Sequence, residues 1–162
     1  MIIEDAKGNK LLDIIDCSEE NVDEIYEPVN HCLAVVKIGD DFLLGWNKWR
    51  KNWEIFGGCR EDNESIRACI QRECREELGL ESGDFTYLGL MYLDMAPGYF
   101  NPERHFEYGG LYGITLPAEM LKTIETYRTD KEEVEKLALY SEVKGKEKIA
   151  LIDEKLLEYW KH

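Results

Sequence analysis

Short apolar runs separated by polar, glycine-bearing turns fill most of the chain. The stretch G-N-K-L-L-D-I-I-D-C (8–17) reads as an opening strand after a turn. The acidic connector that follows has room for a helical turn. H-C-L-A-V-V-K-I (31–38) is β-branched and apolar, the pattern of a buried strand. Gly39-Asp40-Asp41 turns the chain, and F-L-L-G-W (42–46) returns as the hairpin partner. Further strands are expected at 85–93, 106–116 and 136–141. In I-D-E-K-L-L-E-Y-W (152–160), Ile152, Leu156, Leu157 and Trp160 fall at amphipathic helical spacing, which predicts a closing helix docked on the sheet. Residues 117–135 are polar, part helix and part loop. No repeat or linker interrupts this order, so one domain over 1–162 is expected, with a mixed sheet covered on both faces.

One stretch breaks the strand rhythm: G-G-C-R-E-D-N-E-S-I-R-A-C-I-Q-R-E-C-R-E-E-L-G-L (57–80). A two-glycine turn leads through an acidic loop into a helix. Asn63 is the expected N-cap, and Gly79 is placed for a left-handed C-cap. Ile66, Cys69 and Ile70 supply the buried stripe. Glu73, Glu76 and Glu77, at helical offsets 0, +3 and +4, share an arc of about 100°. Glu/Arg mixtures on helices usually mark a solvated face. Three like charges on one rigid face repel, however, and a hard divalent cation among them removes the conflict. Carboxylate oxygens are the ligands magnesium prefers. Arg72 can pair with a loop carboxylate, Glu64 by position.

The stretch resembles the signature of the Nudix hydrolases, G-x5-E-x7-R-E-U-x-E-E-x-G-U, where U is a bulky aliphatic residue. Gly58, Glu64, Arg72-Glu73, Glu76-Glu77, Gly79 and Leu80 occupy every fixed position. Cys74 stands at the first U, and Phe56 precedes the glycines where many members carry proline. The resemblance implies an α/β/α sandwich with a mixed central sheet. It also implies Mg2+-dependent (or Mn2+-dependent) hydrolysis of a nucleoside diphosphate linked to another group. On that basis Glu73, Glu76, Glu77 and the Gly57 carbonyl are the expected metal ligands. Arg72 and Glu64 are the expected orienting pair, with Glu76 among the catalytic residues. The family takes its general base from the box or from a later loop. Glu133 is the downstream candidate here, with Glu132 and Glu103 as rivals.

Composition narrows the partners. A formal net charge of −14 opposes sequence-independent binding to a nucleic-acid polymer, which needs clustered cations. Five cysteines without a C-x-x-C pair read as reduced thiols in a cytoplasmic protein. No apolar run reaches membrane-spanning length, and the first residues lack a signal-peptide pattern. The expected partner is a small nucleotide substrate, and a homodimer stays open. His31 reads as a structural histidine.

Two segments bear on the substrate. N-K-W-R-K-N-W (47–53) mixes Arg50 and Trp53 with further cations and aromatics that could meet phosphates or a base, or could simply pack and solvate. The loop D-M-A-P-G-Y-F-N-P-E-R-H (94–105) carries Pro97, Gly98 and Glu103, and is similar to the region that shapes the pocket in family members acting on ADP-ribose and nucleotide sugars. A nucleoside triphosphate pyrophosphatase and a silent nucleotide sensor are the alternatives.

Overall fold

A computed structural model describes residues 1–162. Strands β1 (Ile3–Glu4), β2 (Lys10–Ile15), β3 (Val29–Ile38), β4 (Asp41–Asn47), β5 (Asn52–Glu54) and β6 (Phe56–Cys59) precede the long helix. Between β2 and β3 the chain makes a 3-10 turn, Glu19–Asn21, and the short helix α1 (Val22–Ile25). Then come α2 (Ile66–Leu78), β7 (Thr86–Met95), β8 (His105–Leu116), α3 (Met120–Tyr127), β9 (Val134–Leu139), α4 (Tyr140–Val143) and α5 (Leu151–Leu156).

The strands lie in the order β1-β2-β7-β8-β3-β4-β5, with β6 paired to β3 and β9 to β4. Only β3 and β8 run parallel, so the sheet is mixed. Strand β3 explains both the layers and the opening. Its alternate residues Cys32, Ala34, Val36 and Ile38 join a core under α2 and α3, beside Cys69, Ile70, Cys74, Leu78 and Ile124. Val35 faces the other way, onto Leu44, Leu111, Met91 and the C-terminal Ile152, Leu156 and Trp160. A period of two thus feeds two cores, and a helix covers each face.

The free edge of β3 is shared. His31–Ala34 pair with β6, whereas only Lys37 and Ile38 pair with β4. Strand β4 then swings away to pair with β5 and β9. This fork opens a cleft of about 1200 Å3, walled by β3, β4, β5 and β6.

Several boundaries differ from the sequence expectation. The N-cap of α2 is Ser65, whose Oγ accepts the Ala68 N–H at 3.0 Å. Asn63 instead takes a left-handed turn at φ 62°, which its short polar side chain tolerates. The C-terminal end behaves as expected: Gly79 at φ 69° donates to the Arg75 carbonyl. Strands β1, β5 and β6 are too short for a periodic signal. Strand β9 begins at Val134, and Tyr140-Ser141 belong to α4. The closing helix ends at Leu156 and tightens into a 3-10 turn, Leu157–Tyr159.

Candidate active site

The double glycine is required by contacts on both sides. Gly57 has φ 141°, and a Cβ there would lie 2.1 Å from the Cys32 carbonyl oxygen. A Cβ on Gly58 would lie 2.6 Å from a Glu73 carboxylate oxygen. Only glycines let β6 pass between β3 and the acidic end of α2. The Gly57 N–H then donates to Glu77 Oε1 at 2.9 Å.

Arg72 organises the loop before the helix. Its Nε and Nη2 donate to the two oxygens of Glu64 at 2.7 and 3.0 Å, and Nη2 also reaches the Cys59 carbonyl at 2.9 Å. Its Nη1 bonds Glu73 at 3.0 Å and, more weakly, Glu76 at 3.4 Å. The guanidinium holds the Glu64 carboxyl down at about 2.

The three box glutamates are not equivalent. Glu73 and Glu77 are 8% and 3% exposed and line the cleft. The side chain of Glu76 is 47% exposed and leans on Arg72. Burial raises the Glu77 carboxyl well above its usual range, against the opposing Gly57 hydrogen bond. Burial also raises Glu73, although Arg72 pulls it down. The carboxylates that converge are Glu77, Asp130 and Glu133, whose oxygens lie within 4.8 Å of one another. The expected trio of Glu73, Glu76 and Glu77 is therefore not the group the fold gathers most tightly. Side chains on one helix diverge, and a second segment supplies the convergence.

That segment is held by backbone contacts. The Glu76 carbonyl accepts N–H groups from Thr129 at 3.2 Å and Asp130 at 2.8 Å, and the Thr129 hydroxyl at 3.1 Å. Arg128, 6% exposed, donates to the carbonyls of Val134 at 2.6 Å and Glu135 at 2.9 Å. Burial, with repulsion from Asp130, raises the Glu133 carboxyl.

Arg50 reaches the same wall. It forks onto Glu54 at 2.7 and 2.9 Å and lies 3.8 Å from Glu133. Asp153, at the start of α5, also faces the cleft and accepts the Ile55 N–H at 2.9 Å. Burial, then the nearby Glu54 charge, pushes its carboxyl up to about 7. The sequence reading missed Asp130 and Asp153. Asp130 stood two residues from a singled-out glutamate, and Asp153 looked like ordinary first-turn acid.

Other expected residues fall elsewhere. Trp53 is 3% exposed and packs edge-on against Trp46 in the core, so it does not line the cleft. Alternation on β5 sends Trp53 inward and leaves Asn52 and Glu54 on the cleft side. Pro97 and Glu103 are exposed and do not line it either. The 94–105 loop turns on a Gly98 N–H to Asn101 carbonyl bond, which presents Gly98, Tyr99 and Phe100 instead. Glu132 pairs with Lys48 at 3.7 Å on the surface. Gly57 lines the cleft and engages Glu77 through its N–H. His31 shares a hydrogen bond with Asn30 at 2.7 Å and lines the cleft with Glu107 and His105. No helix is long and apolar enough to cross a membrane.

A family model described as NUDIX domain matches residues 31–160. A search of curated proteins finds no match. Among solved structures, the Bacillus subtilis pyrophosphohydrolase BsRppH (E68A mutant) aligns with TM-score 0.64 and 18% identity, over 96% of this chain and 94% of that one. The NUDIX domain of Shewanella oneidensis NrtR, complexed with ADP ribose, aligns with TM-score 0.58 and 13% identity, over 88% and 96%. The E. coli dihydroneopterin triphosphate pyrophosphohydrolase aligns with TM-score 0.57 and 13% identity, over 80% and 92%.

Proposed function

The chain belongs to the NUDIX family, and from that premise we propose that it hydrolyses the pyrophosphate bond of a nucleoside diphosphate joined to another group, with ADP-ribose-like compounds first among substrates. The observation that carries this reading is the convergence of Glu77, Asp130 and Glu133 beside the Arg72–Glu64 pair. Three oxygens from three side chains, two of them on carboxyls whose pKa burial raises and only Glu133 with a cation near it, Arg50 at 3.8 Å, fit a magnesium or manganese ion. Such an ion, when bound, neutralises charge on the phosphates and lowers the pKa of bound water.

The chain's own residues divide the remaining work. Glu77, Asp130 and Glu133 would hold the cation. Glu73, in the cleft wall and raised by burial, is placed to take the proton as a water oxygen bonds to phosphorus and the anhydride P–O bond breaks. Arg72 and Glu64 fix the loop that sets Gly58 and Glu73 in register. Arg50, next to Glu133, would meet the phosphates beside the cation. The cleft has the volume for a whole dinucleotide-sized ligand.

The preference for ADP-ribose no longer rests on Pro97 and Glu103. It draws support from the ADP ribose bound by the NrtR domain of similar fold. The test is a panel of ADP-ribose, nucleotide sugars, dinucleoside polyphosphates and (d)NTPs, scored for AMP or phosphate release with magnesium and with chelator. AMP from ADP-ribose, in magnesium only, is expected. Full activity in excess chelator overturns the reaction. A dNTP preferred tenfold or more in kcat/KM reverses the substrate ranking and favours a triphosphate pyrophosphatase.

A further inference from the structure

Along the cleft wall formed by β3 and β8, four polar side chains are joined in one row. His31 Nδ1 bonds Asn30 Oδ1 at 2.7 Å, and Asn30 Nδ2 donates to Glu107 Oε2 at 3.3 Å. His105 Nε2 reaches the same oxygen at 3.0 Å. A bulge makes the row possible. Strand β3 spends two steps, Val29 to His31, against the single step from Tyr108 to Gly109 on β8. The extra residue re-aims the side chains, so the neighbours Asn30 and His31 both line the cleft. Gly109 seats the imidazole, since a Cβ there would run into His31 Nε2.

These bonds fix the protons. Asn30 Nδ2 faces a carboxylate, so Asn30 Oδ1 is the acceptor and His31 carries its proton on Nδ1. Burial lowers the His31 pKa, which leaves Nε2 a bare acceptor. Both partners of the His105 ring, the Glu103 carbonyl and the Glu107 carboxylate, are acceptors. His105 is therefore the imidazolium that matches the Glu107 charge. His31 Nε2 and Glu107 Oε1 remain as two acceptors without a hydrogen bond inside the chain. Oε1 lies 3.8 Å from the near nitrogen of the His31 ring, so the two are neighbours. The side chains are 15% and 16% exposed, and both line the cleft.

We propose that Glu107 and His31 form a diol subsite, which takes the adjacent hydroxyls of a sugar joined to the diphosphate. This rests on the reading of the cleft as a pyrophosphate site. Two neighbouring acceptors, with their one charge already matched by His105, ask for a neutral group carrying two neighbouring donors. The vicinal hydroxyls of a sugar ring are such a pair. Leu93, directly opposite Glu107 on β7, also lines the cleft and offers apolar surface to the ring carbons. The spacing suits a sugar phosphate. His31 pairs with Cys59, and Gly57, which bonds Glu77, stands two residues away, about 7 Å along β6. A sugar held at Glu107 and His31 would leave its phosphates within reach of the acidic group.

Ribose 5-phosphate and 2-deoxyribose 5-phosphate test this without hydrolysis, because neither has a pyrophosphate. They differ by the one hydroxyl that completes the diol, so phosphate contacts cancel in the comparison. The full chain is titrated with each, followed by calorimetry and by the histidine ring signals in NMR. Ribose 5-phosphate is expected to bind at least about tenfold tighter, the worth of one hydrogen bond to a charged acceptor. Glu107→Gln keeps an oxygen for Asn30 and His105 and puts a donor in place of Oε1, so it should erase the preference. His31→Phe keeps a ring over Gly109 without its acceptor, and gives the same comparison if the glutamine variant folds poorly. Equal binding of the two sugars by the wild type, or binding of neither, overturns the proposal. So does a preference that survives either substitution. A ribose preference in a chain that cleaves no pyrophosphate would sustain the diol subsite while removing the reaction proposed above. Cleavage without the preference would do the reverse.

Discussion

The carbonyl of Glu76 accepts the backbone N–H of Asp130 at 2.8 Å, so the box helix itself positions the loop that completes the acidic group. The last turn of a helix leaves carbonyls without partners inside the helix. Here one of them docks Thr129 and Asp130. Gly79 makes room, since a Cβ there would lie 2.7 Å from the Tyr127 backbone. The glycine of the box thus serves two ends: it caps the helix and admits the loop.

Arg128 is the second anchor, and its loss should be severe. Truncation to alanine would strand the buried carbonyls of Val134 and Glu135 and leave a cavity. We expect Arg128→Ala to lower stability by about 2–4 kcal/mol in urea titration. Magnesium affinity should fall with it, because Asp130 and Glu133 lose their frame. A variant with unchanged stability and unchanged magnesium response would show the loop is held without Arg128.

The acidic group predicts an order among the box glutamates. Glu77 is buried in it, whereas Glu76 is half-exposed and turned to Arg72. Without metal, Glu77→Gln removes a buried charge and keeps an oxygen for the Gly57 N–H. It should melt no lower than the wild type. At a hundred times its Kd, magnesium should stabilise the wild type by about 2.7 kcal/mol. Glu77→Gln should lose most of that rise, and Glu76→Gln should keep more of it. Thermal melts with chelator and with magnesium check the order; equal losses in the two variants would return Glu76 to the metal group.

Much of this was legible in the sequence, and the part that was not has a physical reason. Spacing along one helix places Glu73, Glu76 and Glu77 within one arc, but it says nothing of which carboxylate meets a distant loop. Asp130 and Glu133 reach Glu77 through backbone bonds to Glu76, a contact no local pattern announces. The Arg72–Glu64 pair was readable because the loop is short and both residues are fixed by it. Trp53 was ambiguous because its side is set by alternation on a three-residue strand, too short to show a period. Asn52, one position earlier, drew no notice for the same reason.

The Arg72–Glu64 fork should contribute stability with a definite pH dependence. The Glu64 carboxyl is held at about 2 in the folded chain, below its ordinary 4.5. The pairing is therefore fully present above the unfolded value and is lost as pH falls from about 4.5 through about 2. Both side chains are largely buried, at 14% and 12% exposure, so solvent screening removes little of it. Arg72→Lys cannot form the two-pronged contact. It should cost about 1–3 kcal/mol at pH 7 and much less at pH 2.5, where the unfolded chain's glutamate is protonated and most of the pairing's contribution is already lost. Urea titrations at the two pH values check this, and a penalty independent of pH would assign Arg72 a packing role instead.

Asp153 predicts the opposite slope. Its carboxyl is raised to about 7 by burial and by the nearby Glu54 charge, against an ordinary value of 3.8. The folded chain therefore keeps a proton that the unfolded chain has released, and stability from this group falls as pH rises from about 4 to about 7. Linkage sets the scale at about 1.4 kcal/mol for each unit of separation realised. Asp153→Asn keeps an oxygen for the Ile55 N–H and cannot ionise. The variant should match the wild type near pH 4 and exceed it increasingly up to pH 7–8, with a plateau above. Because Asp153 is not one of the converging carboxylates, the gain should appear in chelator and in magnesium alike. Denaturation profiles from pH 4 to 8 decide it. A variant less stable than the wild type at pH 8 would mean that the ionised carboxylate is favoured in the fold, through Arg50 or the Ile55 N–H, and would reverse the assignment.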